Sequence, residues 1–172
     1  MANYQAHIAQ AKKNLAILSE INKKIPDSWD WQVTATYYIA VHLVNAHLAK
    51  TVNMHYSSHE KVKNALFNVM SPAKIDETAY LDYVKLEILS RRARYLCKDT
   101  ESKDEKIREP EKTFLTFDIH LKKAIIKLDS LIEYFSTKYN EKFEITPIDC
   151  IEIKNLSLKH FKYVNQRVFV VS

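Results

Sequence analysis

The chain has 172 residues, of which 47% are apolar and 27% are charged, and it contains no glycine. These values are typical of one packed globular domain, and without glycine they exclude a Walker phosphate loop, a dinucleotide fingerprint, an EF-hand loop and a nucleophile elbow. The formal net charge of +5 is concentrated at the two ends of the chain, which permits a nucleic acid or an anionic surface as a partner.

Helical spacing begins at the first residues and predicts an amphipathic helix that ends at Pro26. The apolar stripe of this helix consists of Tyr4, Ile8, Ala11, Leu15, Leu18 and Ile25. Asp27 or Ser28 is then expected to cap a second helix that extends to about Lys50. Because this second helix is apolar on more than one face, we expect it at the centre of a bundle.

Two further helices follow. Ser57 and Glu60 have the spacing of a capping box and predict a third, shorter helix. Its expected inward side chains are Val62, Leu66, Phe67 and Met70. Asp76 is expected to cap a fourth helix. The apolar stripe predicted for that helix consists of Tyr80, Val84 and Ile88 and continues towards Leu96.

The last third of the chain changes character twice. Residues 98–112 are dominated by charged side chains and are expected to form a solvated loop. A fifth helix follows, and Asn140 is expected to end it in the left-handed conformation. The apolar residues of this helix are Phe114, Phe117, Leu121, Ala124, Leu128, Leu131, Phe135 and Tyr139. From Phe143 the apolar period changes from 3.6 to 2, which predicts short strands at 151–153, 156–158 and 161–163. A further β-branched or aromatic run follows at 167–171, with a weak hairpin turn at residues 165–166 before it.

These patterns together predict a mainly all-α protein. An antiparallel bundle of four to five helices is expected over residues 1–142, with a small β-rich extension over residues 143–172 packed on it. Near the end of the chain, cationic side chains alternate with aromatic ones from Lys159 to Tyr163, and Arg167 follows. Single-strand nucleic-acid platforms have such a pattern, and so does an amphipathic hairpin that packs on a bundle, which is the commoner origin.

Cysteine content and the start of the chain predict a cytoplasmic location. Cys97 and Cys150 are expected to be ordinary buried thiols, and the N-terminus has no signal-peptide pattern. No stretch approaches the roughly eighteen consecutive apolar residues that a membrane-spanning helix needs, so no membrane association is expected. The four histidines between residues 42 and 59 lack the carboxylate spacing of a zinc-hydrolase helix, so no metal site is expected.

The second helix carries polar and aromatic side chains on one face. Trp31, Tyr38, His42 and Asn45 fall on this face by i, i+4 spacing. Such groups either hydrogen-bond one another and neighbouring helices inside the core, or line a ligand site. For His42 taken alone, the packing interpretation is favoured.

At this helix the chain resembles the HEPN domain, an all-helical module named for its occurrence in higher eukaryotes and prokaryotes. Residues 37–42, Tyr-Tyr-Ile-Ala-Val-His, followed by Asn-Ala at 45–46, are similar to the Tyr-Tyr-Ala-Ala-hydrophobic-His run of the family's second helix. Ser-His-Glu at 58–60 and the serine, arginine and tyrosine pattern of residues 89–95 extend the resemblance, which covers roughly residues 2–139.

The resemblance implies one of two activities, in both cases as a homodimer. Many HEPN domains are metal-independent ribonucleases with an arginine, four to six intervening residues and then a histidine. Others bind nucleotides, RNA or a partner protein, such as a nucleotidyltransferase, in toxin–antitoxin or defence systems. Here no histidine lies five to seven positions after any arginine. We therefore expect a non-catalytic binding module without a cofactor, and keep a divergent ribonuclease and a purely structural dimerisation domain as alternatives.

The expected ligand-binding residues are Trp31, Tyr38, His42, Asn45, His59, Arg91, Arg94 and Tyr95. If catalysis remains, His42 or His59 would act as the general base towards a ribose hydroxyl, and Arg91 or Arg94 would neutralise the phosphate. Alternatively, the arginines of the fourth helix pair with carboxylates such as Glu87 or Asp82 on the same helix, or complement its dipole.

Overall fold

The computed structural model describes residues 2–56, 58–98 and 113–165, and this part of the chain contains five α-helices and a short C-terminal extension. The helices are α1 (Tyr4–Lys24), α2 (Trp29–Thr51), α3 (His59–Phe67), α4 (Glu77–Tyr95) and α5 (Asp118–Tyr139). The extension contains β1 (Thr146–Ile148), a 3-10 turn (Ile151–Ile153) and β2 (Phe161–Tyr163). The predicted mainly all-α class with a small β extension is confirmed.

The central position predicted for α2 is also confirmed. This helix packs against α1, α4 and α5. Its largest fully buried side chains are Tyr37, Ile39, Leu43 and Leu48. Positions 37 and 39 are two residues apart and lie on opposite sides of the helix. Both sides of α2 are therefore covered by neighbouring elements, as expected for a helix that is apolar on more than one face.

Contacts at both ends show that α1 and α2 run antiparallel. At one end the Lys50 Nζ atom lies 4.5 Å from the centre of the Tyr4 ring. At the other end the Asn22 amide donates a hydrogen bond of 2.8 Å to Gln32 Oε1. The short turn at residues 25–28 therefore reverses the chain directly.

The α4 carboxylates pair with other helices. Lys127 of α5 lies 2.8 Å from Asp82, and Lys63 of α3 lies 3.0 Å from Glu87. Within the described residues neither carboxylate pairs with an arginine of α4, so the pairing along the helix that the sequence suggested is not observed. Arg92 instead donates from Nε and Nη2 to the carbonyl oxygen of Leu115, at 3.1 and 2.7 Å.

The buried face of α4 differs from the predicted one. Of the predicted stripe, Ile88 is buried, whereas Tyr80 and Val84 are only half-buried. The face that enters the core consists of Ala79, Tyr83, Leu86, Leu89 and Ala93. Asp82 and Ser90 also lie on this buried face. Their polar side chains interrupt the apolar pattern, which is why the sequence indicated the neighbouring face.

Residues near helix ends account for other differences. Val62 and Leu66 of α3 are buried as predicted, but Phe67 and Met70 are exposed. Ile25, expected on the apolar stripe of α1, is exposed as well. The helix ends at residue 24 in α1 and at residue 67 in α3. Phe67 is the last residue of its helix, and Ile25 and Met70 lie beyond the helix ends, where the 3.6-residue period no longer determines which way a side chain points.

Among the described residues, three adopt the left-handed conformation that glycine would usually supply. Asn140, with φ 54° and ψ 42°, ends α5 as predicted. Asn53 follows α2 with φ 51°, and Leu96 ends α4 with φ 53°. Leu96 was expected on the apolar stripe, but it is exposed and serves as the C-cap instead.

The extension pairs in a way that the sequence did not predict. β1 and β2 are parallel, with Thr146 opposite Phe161 and Ile148 opposite Tyr163. The strands predicted at 151–153 and 156–158 do not form, since the first is a 3-10 turn and the second lies outside the described strands. The predicted turn reaches Gln166, which lies outside the described residues together with the run after it.

The cationic tract at residues 159–163 packs on the bundle. Phe161 is buried, and Lys159 Nζ and His160 Nε2 lie 2.6 and 3.1 Å from the two carboxylate oxygens of Glu133. Asp129 of α5 accepts hydrogen bonds from the backbone N–H groups of Lys159 and His160, the latter at 2.7 Å. The packed alternative therefore accounts for this tract better than a stacking platform.

Three further expectations concern the cysteines, membrane-spanning helices and the charged loop. Both cysteines are free; Cys150 is buried as expected, whereas Cys97 is only half-buried. None of the described helices has the length and apolar character needed to span a bilayer. The predicted solvated loop falls almost wholly on residues 99–112, which lie outside the described residues.

Candidate functional site

A pocket of about 190 Å³ lies between α2, α4 and the segment that leads into α3. We call it the Asn45 pocket. Its lining residues are Val41, Asn45, His55, Tyr56, Ser58, His59, Val62 and Tyr83. No acidic side chain is among these lining residues, so the pocket offers hydrogen-bond donors and imidazoles without a compensating carboxylate.

Local chemistry places the start of α3 at this pocket. Ser58 caps the helix, and its Oγ accepts a hydrogen bond of 3.3 Å from the backbone N–H of Lys61. The cap is thus Ser58 in place of the predicted Ser57, which itself lies outside the described residues. Because Ser58 and His59 both line the pocket, the positive end of the α3 dipole lies beside it.

Asn45 is the most informative polar residue of the pocket. Its side chain is on α2, and the residue is 9% exposed. Within the described part of the chain, no hydrogen-bond partner of its amide group is present. Its amide atoms are not among the buried side-chain atoms that lack a partner, so they are open to the solvent in the pocket. The unpaired amide therefore marks a position where an occupant of the pocket would be bound.

His59 is held by a buried tyrosine. The Tyr37 hydroxyl lies 2.9 Å from His59 Nδ1, and the Tyr37 ring also packs against Tyr83 at 6.0 Å between centroids. Burial raises the pKa of Tyr37 well above its usual range and the pKa of Tyr83 to about 12. Both phenols are therefore protonated at neutral pH. A phenol hydroxyl can donate or accept, and in either case the hydrogen bond holds the His59 ring through Nδ1.

Three other imidazoles form what we call the histidine row, which consists of His7, His42 and His55. The Nδ1 atoms of His7 and His42 lie 3.2 Å apart, and the His7 and His55 rings stack with centroids 5.8 Å apart. His7 is buried, and its Nε2 atom has no hydrogen-bond partner among the described residues. Since His55 also lines the Asn45 pocket, the histidine row connects the pocket with the α1–α2 interface.

Electrostatic effects within the row disfavour protonation. Burial, followed by the charges of His42 and His55, lowers the pKa of His7. Burial, followed by the charge of His55, lowers the pKa of His42. In the described structure no carboxylate forms an ion pair with any of the three rings. The row is thus a set of like groups without a neutralising partner.

Comparison with known proteins does not identify this chain. No protein-family model matches the sequence, and no curated protein and no solved structure matches it. The resemblance to the HEPN family therefore stays a prediction that rests on the residues quoted above.

The structure brings two of the predicted ligand-binding residues, Asn45 and His59, to one pocket. His42 belongs to the histidine row and hydrogen-bonds His7, so it does not line the pocket itself. Tyr38 is 46% exposed, and its ring lies 6.0 Å from that of Tyr37. Trp31 is exposed on the first turn of α2 and does not line the pocket.

The predicted residues of α4 lie at the C-terminal end of that helix. Arg91, Arg94 and Tyr95 are exposed. The Arg94 guanidinium carbon lies 5.0 Å from the centre of the Tyr95 ring, and Arg94 Nε donates to the Ser90 carbonyl oxygen at 3.3 Å. The positive charge of Arg94 opposes the rise that burial causes in the pKa of Tyr37. Arg94 therefore contributes to the electrostatic environment of Tyr37 without lining the pocket.

Sequence reasoning missed the other lining residues. His55 was considered only as a metal ligand, and the described residues contain no group of three or more side chains that could hold a metal ion. The sequence signal for this segment was the pair of histidines, His55 and His59, on either side of a helix cap, which could have indicated a shared site. No such signal existed for Tyr83, because the face of α4 that reaches α2 was not the predicted one.

Proposed function

We propose that the protein binds nucleotides or RNA as a non-catalytic module, with a phosphate group held in the Asn45 pocket. The observation that carries this proposal is the unpaired amide of Asn45, which is open to a pocket that Asn45 shares with His55 and His59. The HEPN resemblance at residues 37–46 supports the same class of ligand.

The chemistry of the lining favours an oxyanion. The Asn45 amide donates through Nδ2, each neutral imidazole donates through one nitrogen, and the first turn of α3 provides backbone N–H groups and a positive dipole end. A cation would find no acidic ligand among the lining residues. A phosphate oxygen matches this set of donors best.

The size of the pocket favours a nucleotide unit that lies partly outside it. Sites for whole small molecules usually have volumes of about 300–1,000 Å³, whereas this pocket has about 190 Å³. It therefore accommodates a phosphate and part of a sugar, with the base at its mouth. Tyr56 lines the pocket and is half-buried, so its ring offers a surface on which a base can stack.

Isothermal titration calorimetry with nucleoside 5′-monophosphates and a short single-stranded RNA tests the proposal. We expect the Kd to rise with salt concentration, because phosphate binding releases counterions. Replacing Asn45 by Ala should weaken binding about tenfold, which corresponds to about 1.4 kcal/mol, the value of a hydrogen bond to a charged group.

The matched control is Asn64→Ala, since Asn64 is exposed on α3 and does not line the pocket. Its affinity should equal that of the parent protein. The absence of binding at low salt, or equal affinities of the Asn45→Ala and parent proteins, would contradict the proposal.

Metal-independent cleavage of RNA is a second proposal, supported by the two exposed histidines that line one pocket, His55 and His59. One imidazole would remove the proton of a ribose 2′-hydroxyl as its oxygen attacks phosphorus, and the other would protonate the departing 5′-oxygen. RNA incubated with the protein in a chelator should then be cleaved by the parent and by His160→Gln, but not by His55→Gln or His59→Gln. Equal cleavage by all four proteins would show contamination.

A further inference from the structure

We infer that the Asn45 pocket is a proton-coupled anion site, in which a phosphodiester bound against His55 draws a proton onto the His7–His42 pair. This inference rests on the proposed binding of a nucleotide or RNA phosphate in that pocket. It adds a regulation that the lining residues alone do not have, because His7 and His42 do not line the pocket.

The geometry provides a continuous connection. His55 lines the pocket and also stacks on His7, with ring planes 4° apart. His7 in turn contacts His42 through the Nδ1 atoms at 3.2 Å. A charge placed beside His55 thus acts on two imidazoles that lie at the α1–α2 interface. His7 Nε2 is buried and has no hydrogen-bond partner among the described residues. A proton can therefore bind there without breaking an existing hydrogen bond.

The three members of the histidine row come from three different elements, and the charged groups near them are few. α1 provides His7, α2 provides His42, and the segment after α2 provides His55. One turn before His7, the Tyr4 hydroxyl donates to Glu141 at 2.9 Å and Lys50 lies over the Tyr4 ring. Neither Glu141 nor Lys50 contacts an imidazole of the row. On the pocket side, His59 shares the lining with His55.

An anion changes the balance of charges in this row. In the free protein burial is the main cause that lowers the pKa of His7 and His42, and the charge of His55 lowers both further. A phosphodiester beside His55 neutralises that charge and adds an attraction for a proton on the pair. Because linkage is reciprocal, proton uptake on ligand binding means tighter ligand binding at lower pH.

The dinucleotide UpU is a suitable probe, because its single phosphodiester charge and its bases do not titrate between about pH 5.5 and pH 8. The imidazole resonances of His7 and His42 in the parent chain are followed by NMR across this range, with and without UpU. We expect the pKa of both rings to rise when UpU is bound. Calorimetry in two buffers of different ionisation enthalpy should show proton uptake on binding.

The pocket has imidazoles of its own in its lining, so the pH profile of binding alone does not isolate the His7–His42 pair. The variant His7→Gln addresses this. We expect its Kd at about pH 8 to match that of the parent, and the tightening towards pH 5.5 to be reduced about fivefold, within the usual range of coupling between sites. The control His160→Gln should retain the parent profile, since His160 contacts Glu133 and does not line the pocket.

Two negative results are distinguishable. If UpU binds but the pKa values of His7 and His42 do not change, proton coupling is disproved and the proposed function stands. If UpU does not bind at either pH, both proposals are disproved. The NMR measurement uses the parent chain, so a His7→Gln variant that fails to fold does not prevent the test.

Discussion

The Nδ1 atoms of His7 and His42 lie 3.2 Å apart and share one hydrogen bond across the α1–α2 interface. Such a bond needs one protonated and one unprotonated Nδ1 atom, so at least one of the two rings is neutral while the bond exists. The third ring of the row, His55, stacks on His7 and adds a further group that becomes positive on protonation. The native structure therefore opposes the simultaneous protonation of His7 and His42.

Stability should consequently depend on pH. Burial is the largest cause that lowers the pKa of His7, His42 and His47. Below the usual histidine pKa of about 6.5, the unfolded chain binds more protons than the folded chain. We expect the free energy of unfolding to be highest above about pH 7 and to fall as the pH decreases towards the native pKa values. Urea denaturation at several pH values measures this change.

The variant His42→Gln isolates the contribution of the row. Glutamine keeps a hydrogen-bonding group near His7 but does not titrate, so the decrease in stability between about pH 7 and pH 5.5 should be smaller than in the parent protein. His47 still contributes a decrease in both proteins. Identical pH profiles of the two proteins would show that the row does not affect folding.

His47 is expected to act purely as a packed core residue. Its Nε2 lies 2.9 Å from the Ala73 carbonyl oxygen and must donate to it, so Nδ1 accepts from the hydroxyl of Tyr139. Tyr139→Phe leaves Nδ1 buried without a donor and should destabilise the protein by about 1–2 kcal/mol in urea denaturation. Tyr134→Phe is the control on the same helix, because the Tyr134 hydroxyl contacts only the exposed Lys138 among described groups. A loss as large in Tyr134→Phe would contradict this account.

Asp129 is expected to hold the C-terminal extension on α5. Its carboxylate is buried and accepts hydrogen bonds from the backbone N–H groups of Lys159 and His160. Asp129→Asn replaces one acceptor oxygen by a donor and should destabilise the protein by about 2 kcal/mol, since hydrogen bonds to a charged acceptor are the stronger ones. It should also make residues 143–165 more susceptible to limited proteolysis.

The control for this substitution is Glu152→Gln, which removes a partly exposed ion pair between Glu152 and Lys122 at 3.3 Å. Such pairs contribute little, so a change within about 0.5 kcal/mol is expected. If Asp129→Asn left both stability and proteolysis at the level of this control, the anchor would be disproved.

Asn140 is expected to be replaceable by glycine but not by alanine. Its φ of 54° lies in the left-handed region, where a Cβ atom without a local hydrogen-bonding side chain is unfavourable. Asn140→Ala should therefore lose about 1 kcal/mol of unfolding free energy, whereas Asn140→Gly should be neutral or slightly stabilising. Thermal and urea denaturation of the two variants beside the parent measure the difference. A more stable alanine variant would show that the left-handed conformation does not limit this position.

Sequence alone was sufficient where the relevant interactions are local. Pro26 and Asn140 mark the ends of α1 and α5. Proline has no backbone N–H to continue the helix, and asparagine readily adopts the left-handed conformation, so both effects act within one helical turn. The central place of α2 follows from its apolar residues on more than one face. Asn45 and His59 were identified as candidates from residue type, spacing and resemblance, and the structure places both in one pocket.

Only the tertiary structure brought distant residues together. His7 and His42 are separated by 35 positions, and Tyr37 and His59 by 22. Their contacts depend on how α1, α2 and the start of α3 pack, which no local pattern encodes. The parallel pairing of β1 and β2 depends in the same way on anchors such as Asp129, which hold the intervening chain on the bundle. Helix ends follow from hydrogen bonds within a few residues, whereas a pocket follows from the shapes and charges of side chains that meet only after packing.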